Sequence, residues 1–174
     1  MTKPSFTTRV PEGDSLPRQV CDHCGFVHYV NPRLVVGCVI EHEERLLLCR
    51  RAIEPRLGYW TVPAGFMEER ETTAAGAARE ALEEARARVE IGPLLALYNV
   101  PRISQVHLFY RARLREPGFE AGEETLETRL FLWDEVPWPE LAFPSVRFAL
   151  RAWEATRGQD GFTPWQHDDD GEVV

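Results

Sequence analysis

The most informative stretch of this sequence reads Gly65-Phe-Met-Glu-Glu-Arg-Glu71 and, after seven further residues, Arg79-Glu80-Ala-Leu-Glu83-Glu84. The second run lies in a segment that is rich in alanine and free of proline, which favours an α-helix. Each residue of a helix advances by about 100°, so Glu80, Glu83 and Glu84 fall within an arc of about 100°. Three carboxylates therefore share one face of the predicted helix.

The predicted helix extends over 72–88, and its neighbouring glutamates lower its stability. Like charges three and four residues apart repel one another and reduce helix stability. A divalent cation would relieve this repulsion, because hard cations such as Mg²⁺ prefer carboxylate oxygens and often bridge to substrate phosphates. The alternative is a solvated acidic face on a surface helix. Arg79 offsets part of the repulsion if it pairs with Glu71, which would tie the preceding loop to the helix.

Composition and charge limit the location and the partners. The chain has 174 residues, 28 acidic and 20 basic side chains and a formal net charge of −8. Nucleic-acid binding draws its affinity from Lys and Arg at phosphates, so we expect no nucleic-acid partner. The longest apolar run, Leu34–Ile40, is far shorter than the roughly 20 residues that span a bilayer, and the N-terminus lacks a signal-peptide core. We therefore expect a cytoplasmic protein without membrane association.

The order of predicted elements favours an α/β fold with a mixed sheet. A buried strand over 34–40, a short turn and a hairpin partner over 45–50 precede the carboxylate helix. The remaining predicted elements are strands over 89–100, 103–114 and 128–133 and a helix over 145–157 that begins with Ser145 as its N-cap. Strands do not alternate strictly with helices, so we expect a mixed sheet covered by helices.

Three parts of the chain differ in composition. Residues 1–32 are rich in Pro, Gly and polar side chains and form a predicted N-terminal extension. Residues 33–157 contain the predicted sheet and helices, and we interpret them as the main domain. Residues 158–174 include Asp168-Asp-Asp-Gly-Glu172, and we predict an acidic, flexible tail there.

The spacing of the charged residues resembles the Nudix box, Gly-x5-Glu-x7-Arg-Glu-(apolar)-x-Glu-Glu-x-Gly-(apolar). Every charged position of that pattern matches, and so does the lead-in Gly58-Tyr-Trp-Thr-Val-Pro-Ala-Gly65. The chain departs from the pattern at Arg86, which stands where the box has glycine, and we expect this change to extend the helix slightly. The resemblance to the Nudix hydrolase superfamily implies an α/β/α sandwich with a mixed sheet.

This resemblance also implies a metal site. Glu80 and Glu84 would be the main ligands of Mg²⁺ or Mn²⁺, and Glu83 would be a further ligand or a base that orients water. Gly65 would supply geometry and a backbone carbonyl at the metal. The four candidate catalytic residues are Glu80, Glu83, Glu84 and Arg79.

Residues around the metal site receive supporting roles from the same resemblance. Glu71 would be a structural support, together with Arg79. Glu124 or Glu127, in a charged loop before a predicted strand, could supply a further ligand or the base. The alternative for these two residues is a surface charge run.

The N-terminal extension resembles the Nudix subgroup that carries a zinc ribbon, which includes NADH, FAD and ADP-ribose pyrophosphatases. The resemblance rests on Cys21-x-x-Cys24-Gly-x-x-x-Tyr29-x-Asn31-Pro32. A four-thiolate zinc site needs two such knuckles, and this sequence has one. We therefore expect a vestigial or half zinc-ribbon hairpin, and zinc at Cys21 and Cys24 stays open. Cys38 and Cys49 lie in predicted core strands and are expected to be buried apolar residues.

Substrate-binding candidates come from short similarities within the subgroup. Ser104-Gln105 resembles the start of the NADH pyrophosphatase motif, but the apolar and proline positions that should follow are absent. Leu141-Ala-Phe-Pro-Ser145 resembles the FAD and ADP-ribose group instead. Aromatic residues could stack on an adenine or flavin, although each one alone is more typical of the core; they are Tyr59, Phe66, Tyr98 and Phe143.

The leading functional hypothesis is a metal-dependent pyrophosphohydrolase. Its substrate would be a nucleoside diphosphate linked to another moiety, such as FAD, ADP-ribose or NADH, and its products would be AMP and a phosphorylated compound. The alternatives are a nucleoside triphosphate-sanitising enzyme and a Nudix-fold sensor that binds a nucleotide without cleaving it. Relatives with large substrates are usually homodimers, so we also expect a homodimer.

Overall fold

Two compact units make up the chain, one ending at Pro32 and the other beginning at Arg33. The computed structural model describes residues 3, 5–159 and 161–168, with the side chain of residue 168 excluded. Within this described part, no helix is long and apolar enough to cross a membrane.

The N-terminal unit is a three-stranded antiparallel sheet. Its strands are β1 (Phe6–Arg9), β2 (Arg18–Cys21) and β3 (Val27–His28), in that spatial order. Cys21 is the last residue of β2 and Cys24 lies in the turn that follows, where the backbone N–H of Gly25 donates to the Cys21 carbonyl at 2.9 Å. Gly25 has a φ of 74°, which favours glycine. Cys21 is buried and Cys24 is exposed.

The second unit is built on an eight-stranded mixed sheet, which confirms the predicted fold class. Its elements are β4 (Arg33–His42), β5 (Arg45–Arg51), β6 (Trp60–Thr61), β7 (Ala64–Phe66), α1 (Thr73–Ala85), β8 (Val89–Val100), β9 (Gln105–Leu114), β10 (Thr125–Phe131), α2 (Pro144–Ala155) and β11 (Trp165–Asp168). The strand order is β10-β5-β4-β9-β8-β11, with β6 paired to β5 and β7 to β4. Strand pairs β4–β9 and β8–β11 are parallel, and the others are antiparallel.

Alternating side chains of the central strands fill two apolar layers. Val36, Cys38 and Ile40 of β4 pack with the alanine face of α1, while Val39 packs with α2 on the other face of the sheet. The sheet therefore lies between the two helices. Both Cys38 and Cys49 are fully buried in the α1 layer, as predicted.

Helix α1 is shorter than the sequence predicts. Thr72 is its N-cap, and the Thr72 hydroxyl accepts from Ala75 N–H at 3.1 Å. The helix ends at Ala85, because Arg86 adopts the left-handed conformation with a φ of 50°. The expectation that the loss of glycine extends the helix is therefore wrong. Arg86 takes the glycine conformation at the steric cost of a residue with a Cβ.

Two predictions for the C-terminal part are also wrong. Phe143, rather than Ser145, is the N-cap of α2. Trp165–Asp168 is not a solvated tail: it pairs in parallel with β8, and His167 stacks on Tyr98 with ring centroids 4.5 Å apart. The rest of the predicted tail falls in part on residues 160 and 169–174, which lie outside the described residues.

One edge of the large sheet gathers many strand ends. The pairing registers bring the starts of β4, β9 and β10 to the same edge as the ends of β5, β7 and β8. Residues far apart in the sequence therefore meet there. Arg51 at the end of β5, for example, is the register partner of Thr125 at the start of β10.

Candidate active site

Two glutamates of α1 form the centre of the candidate site. Glu80 and Glu84 lie one helical turn apart, with only 7% and 8% of their surfaces exposed. The Glu84 Oε2 atom accepts from the backbone N–H of Ala64 at 3.2 Å. A Cβ on Gly65 would lie 2.5 Å from the Glu80 carboxyl carbon, so only glycine lets β7 approach this carboxylate. The structure thus brings Glu80, Glu84 and Gly65 together.

The electrostatics of this pair suit a cation. Burial raises the pKa of Glu84 to about 8, and the nearby carboxylates of Glu80 and Glu124 add to that effect. Burial also raises the pKa of Glu80, although the Arg79 guanidinium opposes the shift. A divalent cation stabilises the ionised form of buried carboxylates, and it must displace their protons to bind. Mg²⁺ usually takes one or two carboxylates besides waters and substrate phosphates, so this pair fits it.

Arg79 connects the loop to the helix as the sequence predicts. Its Nε and Nη2 atoms donate to the two carboxylate oxygens of Glu71 at 3.2 and 3.0 Å. Nη2 also donates to the Phe66 carbonyl at 3.0 Å, and Nη1 donates to Glu80 Oε1 at 2.7 Å. The bonds from Arg79 hold the pKa of Glu71 below its ordinary value. Arg79 therefore fixes both the loop and one carboxylate of the central pair.

Glycine at position 76 makes room for that loop. A Cβ there would lie 2.6 Å from Glu71 Oε1 and 2.8 Å from Val36 Cγ2. The helix accepts a poor helix former at this position because the loop carboxylate packs directly against its backbone. This contact explains why a glycine lies inside the helix.

Glu83 is exposed, unlike the central pair, and shares the Arg79 Nη1 atom with Glu80. Its side chain is 57% exposed, and Oε2 accepts from Arg79 Nη1 at 2.8 Å. Among the described residues, no three His, Cys, Asp or Glu side chains are grouped as a metal site. The structure therefore presents a pair of buried carboxylates, and the role of Glu83 as ligand or base stays a prediction.

Two further charged residues lie close to the pair. The positive charge of Arg51 lowers the pKa of Glu84, whereas the negative charge of Glu124 raises it. No local sequence pattern indicates Arg51, because the sheet register brings it to the site. Glu124 was one of two alternatives for a further ligand or base; Glu127, the other one, lies beside Arg50 at 3.8 Å, and the role of either residue stays a prediction.

The loop that carries Glu124 rests on the end of α1. Gly122 N–H donates to the Glu84 carbonyl at 2.9 Å, and Glu120 N–H donates to the Ala85 carbonyl at 2.9 Å. A Cβ on Gly122 would overlap the Glu83 carbonyl oxygen, so this contact requires glycine. The loop is held by backbone hydrogen bonds, which a pattern of side chains in the sequence does not predict.

Substrate-binding candidates occupy several places along the sheet edge. Phe66 is 46% exposed, and the Arg33 guanidinium lies 4.7 Å from its ring centroid. Tyr59 is half-buried beneath the Arg56 guanidinium, 5.2 Å away. Ser104 is exposed with a φ of 51°. Gln105, Tyr98 and Phe143 lie deeper, and Tyr98 is a core residue.

Comparison with known proteins identifies the family. A family model described as the NUDIX domain matches residues 31–152, well over half of the chain. The chain belongs to the NUDIX family. A second model, described as Nudix N-terminal, matches residues 4–30 of this NUDIX protein. Both matches confirm the resemblance drawn from the sequence.

Individual relatives agree with this assignment. A crystal structure of a NUDIX hydrolase from Nitrosomonas europaea has 49% sequence identity and a TM-score of 0.87, covering 93% of each chain. An ADP-ribose pyrophosphatase from Methanocaldococcus jannaschii is 28% identical over 66% of this chain and 69% of its own length. A MutT-like protein from Streptomyces ambofaciens is 38% identical over 45% of this chain. The chain spans about half of the length of that relative (49%).

The N-terminal unit offers two thiols for zinc. Backbone N–H groups of Cys24 and His23 bond to the Cys21 sulfur and lower the pKa of this thiol. The other two cysteines of the sequence are fully buried in the α1 layer, and burial raises the pKa of the Cys38 thiol. A tetrahedral structural site needs four ligands, so the two thiols alone do not complete one.

Proposed function

We propose that this NUDIX chain is a divalent-metal-dependent pyrophosphohydrolase that cleaves ADP-ribose or a similar nucleoside diphosphate derivative. The observation that carries the proposal is the buried pair Glu80 and Glu84, held against Gly65. Nudix hydrolases generally use a divalent metal, and the pair would hold Mg²⁺ or Mn²⁺ together with the Gly65 carbonyl. When bound, the metal would neutralise the diphosphate and polarise a phosphorus atom for attack by water.

The chain's own residues would position the substrate and accept a proton. The positive charge of the Arg51 guanidinium lowers the pKa of Glu84, and this guanidinium would bind a phosphate oxygen of the substrate. Glu124 would accept the proton of the attacking water, because its negative charge acts on both carboxylates of the pair from a separate loop. Glu83, the alternative base, would first have to leave Arg79.

Several features support ADP-ribose as the substrate class. The relative from Methanocaldococcus jannaschii is an ADP-ribose pyrophosphatase. Phe143 lies within the segment that resembles the FAD and ADP-ribose group, and the Arg51 guanidinium lies 5.2 Å from its ring centroid. An arginine beside both a carboxylate pair and an aromatic ring could bind a diphosphate next to a stacked base. Cleavage would yield AMP and ribose phosphate.

A substrate panel tests this proposal. Purified protein with Mg²⁺ or Mn²⁺ is incubated with ADP-ribose, FAD, NADH and ATP, and the products are separated by chromatography. We expect AMP as a product and the highest kcat/KM for ADP-ribose. ATP as the best substrate would favour the triphosphate-sanitising alternative. Nucleotide binding without turnover of any compound would instead make the protein a sensor.

Assembly and location stay predictions. Relatives with large substrates suggest a homodimer, which light scattering of the purified full chain would detect. Cytoplasmic location is likewise predicted from the sequence, and imaging of a tagged full chain would test it.

A further inference from the structure

Two thiols lie together at one turn of the N-terminal unit. The backbone N–H of Gly25 donates to the Cys21 carbonyl at 2.9 Å, and the Cys21 N–H donates to the Phe26 carbonyl at 2.8 Å. These two bonds close the turn on both sides of Cys24. Within it, the Cys24 thiol donates a hydrogen bond to the Cys21 sulfur. The two side chains therefore already point toward each other, as a disulfide between them requires.

The two sulfurs differ in their surroundings. Cys24 is exposed, so a small molecule in solution can reach its thiol. Cys21 is buried, and its sulfur accepts from the backbone N–H groups of His23 and Cys24. Such donors stabilise a thiolate, which is the form of cysteine that attacks a disulfide. This asymmetry suits Cys24 to react first with an outside molecule and Cys21 to displace it afterwards.

The residues around this turn do not fit a structural zinc ion. A tetrahedral site needs four ligands, and the described part of the chain groups no third His, Cys, Asp or Glu side chain with the two thiols. The neighbouring Asp22 carboxylate accepts from the hydroxyls of Ser5 and Thr7. Both thiols of the turn are therefore available for chemistry with each other.

The size of the N-terminal unit gives a cross-link a structural role. This unit ends at Pro32, and among its described residues, 3 and 5–32, only Val20 and Cys21 are buried. Domains below about 40 residues usually need a disulfide, a metal or oligomerisation, because they bury too little apolar surface. A covalent bond at the end of β2 would add to the stability of a unit with so small a core.

We propose that Cys21 and Cys24 are a redox-active dithiol pair that undergoes exchange with small-molecule disulfides such as oxidised glutathione. The Cys24 thiolate attacks one sulfur of the small disulfide, so that a mixed disulfide forms while the S–S bond of the oxidant breaks and one thiolate leaves. The Cys21 thiolate then attacks the Cys24 sulfur, which forms the Cys21–Cys24 disulfide and releases the second thiolate. The two protein thiols give up two protons and two electrons, and the oxidant becomes two small thiols.

Oxidation of the full chain tests this proposal. The purified protein is incubated with oxidised glutathione, its free thiols are alkylated, and its peptides are identified by mass spectrometry. We expect two of the four thiols to be lost to a Cys21–Cys24 disulfide and to return in excess reduced glutathione. Cys38 and Cys49 are the internal control, because both are fully buried and should stay reduced. Four free thiols after oxidation, or a disulfide between two chains, would overturn the proposal.

Two variants test the order of the steps. Cys21→Ser removes the thiol that displaces glutathione, so Cys24 should retain one glutathionyl group as a stable mixed disulfide. Cys24→Ser should retain none, because Cys21 is buried. Equal glutathionylation of the two variants, with circular dichroism showing both folded, would contradict the assigned roles.

Metal analysis separates this proposal from a zinc site. We expect the full chain to hold no zinc at Cys21 and Cys24 and to oxidise at the same rate with and without a chelator. Zinc that is bound by these thiols and blocks their oxidation until it is removed would overturn the proposal.

Discussion

Replacing Gly65 with alanine should remove most of the activity of this protein while leaving its fold intact. The α-carbon of Gly65 lies against the carboxylate of Glu80, and an added Cβ would stand 2.5 Å from the carboxyl carbon. Ordinary van der Waals contacts begin at 3.4 Å, so the carboxylate would have to retreat by about 0.9 Å. The atom that must move belongs to a side-chain end, which can shift without distorting the backbone.

The expected losses of activity and stability follow from that displacement. A misplacement of about 1 Å in a catalytic constellation can lower the rate about 100-fold. Overpacking of this kind typically costs about 1–3 kcal/mol of stability, and the low end applies because the side chain can move. Gly65→Ala should therefore lose about two orders of magnitude in kcat/KM and remain folded.

Gly118→Ala is the matched control. Its added Cβ would meet no atom within 4 Å, and its backbone lies outside the left-handed region, so both activity and stability should stay at wild-type values. Steady-state hydrolysis of ADP-ribose and thermal unfolding by circular dichroism measure the two effects. Full activity in a folded Gly65→Ala protein would refute the placement of Gly65 against a metal-binding carboxylate.

Three further predictions concern metal affinity and stability. Because the pKa of Glu84 is raised to about 8, Mg²⁺ must displace a proton, and the Mg²⁺ affinity should rise about tenfold per pH unit up to pH 8. A Mg²⁺ affinity that calorimetry finds constant from pH 6 to 8 would contradict this. Arg86→Gly should raise the free energy of unfolding by about 1 kcal/mol in urea titrations, since glycine adopts the φ of 50° without steric cost, and a loss of stability would refute this account of the helix end. His107 stays neutral in the folded state to about pH 4 but protonates near pH 6.5 when unfolded. The free energy of unfolding should therefore fall as the pH drops between these values, by up to about 1.4 kcal/mol per pH unit. The free energy of unfolding of His107→Gln should fall less steeply, and an equal slope would count against the buried neutral ring.

Local spacing was enough to predict the helix, its carboxylates and the Arg79–Glu71 contact. These features depend on residues close in the sequence, where helical geometry determines which side chains are neighbours. The same geometry did not predict the orientation of Glu83. This residue follows Arg79 by four positions, and the arginine Nη1 atom donates both to its carboxylate at 2.8 Å and to that of Glu80 at 2.7 Å.

Features that depend on strand pairing could not be predicted from the sequence. Arg51 and Glu124 both act on Glu84 because the end of β5 pairs with the start of β10, a register that local patterns do not encode. Strand β11 was interpreted as part of the tail because residues 158–174 are polar and end in an acidic run, whereas in the structure β11 pairs with β8 and His167 stacks on Tyr98. Ser145 looked like a helix cap, but its hydroxyl bonds to His107 instead.

The measurement that tests the central claim most directly is Mg²⁺-dependent hydrolysis of ADP-ribose by the wild type, Glu84→Gln and Glu90→Gln. Glu84→Gln replaces a buried carboxylate with an uncharged amide of the same shape, whereas Glu90 is exposed on β8, away from the carboxylate pair. We predict that Glu84→Gln keeps its thermal stability and loses at least about 100-fold in kcat/KM, while Glu90→Gln matches the wild type. Near-normal turnover in a folded Glu84→Gln protein would contradict the metal-binding role of the pair.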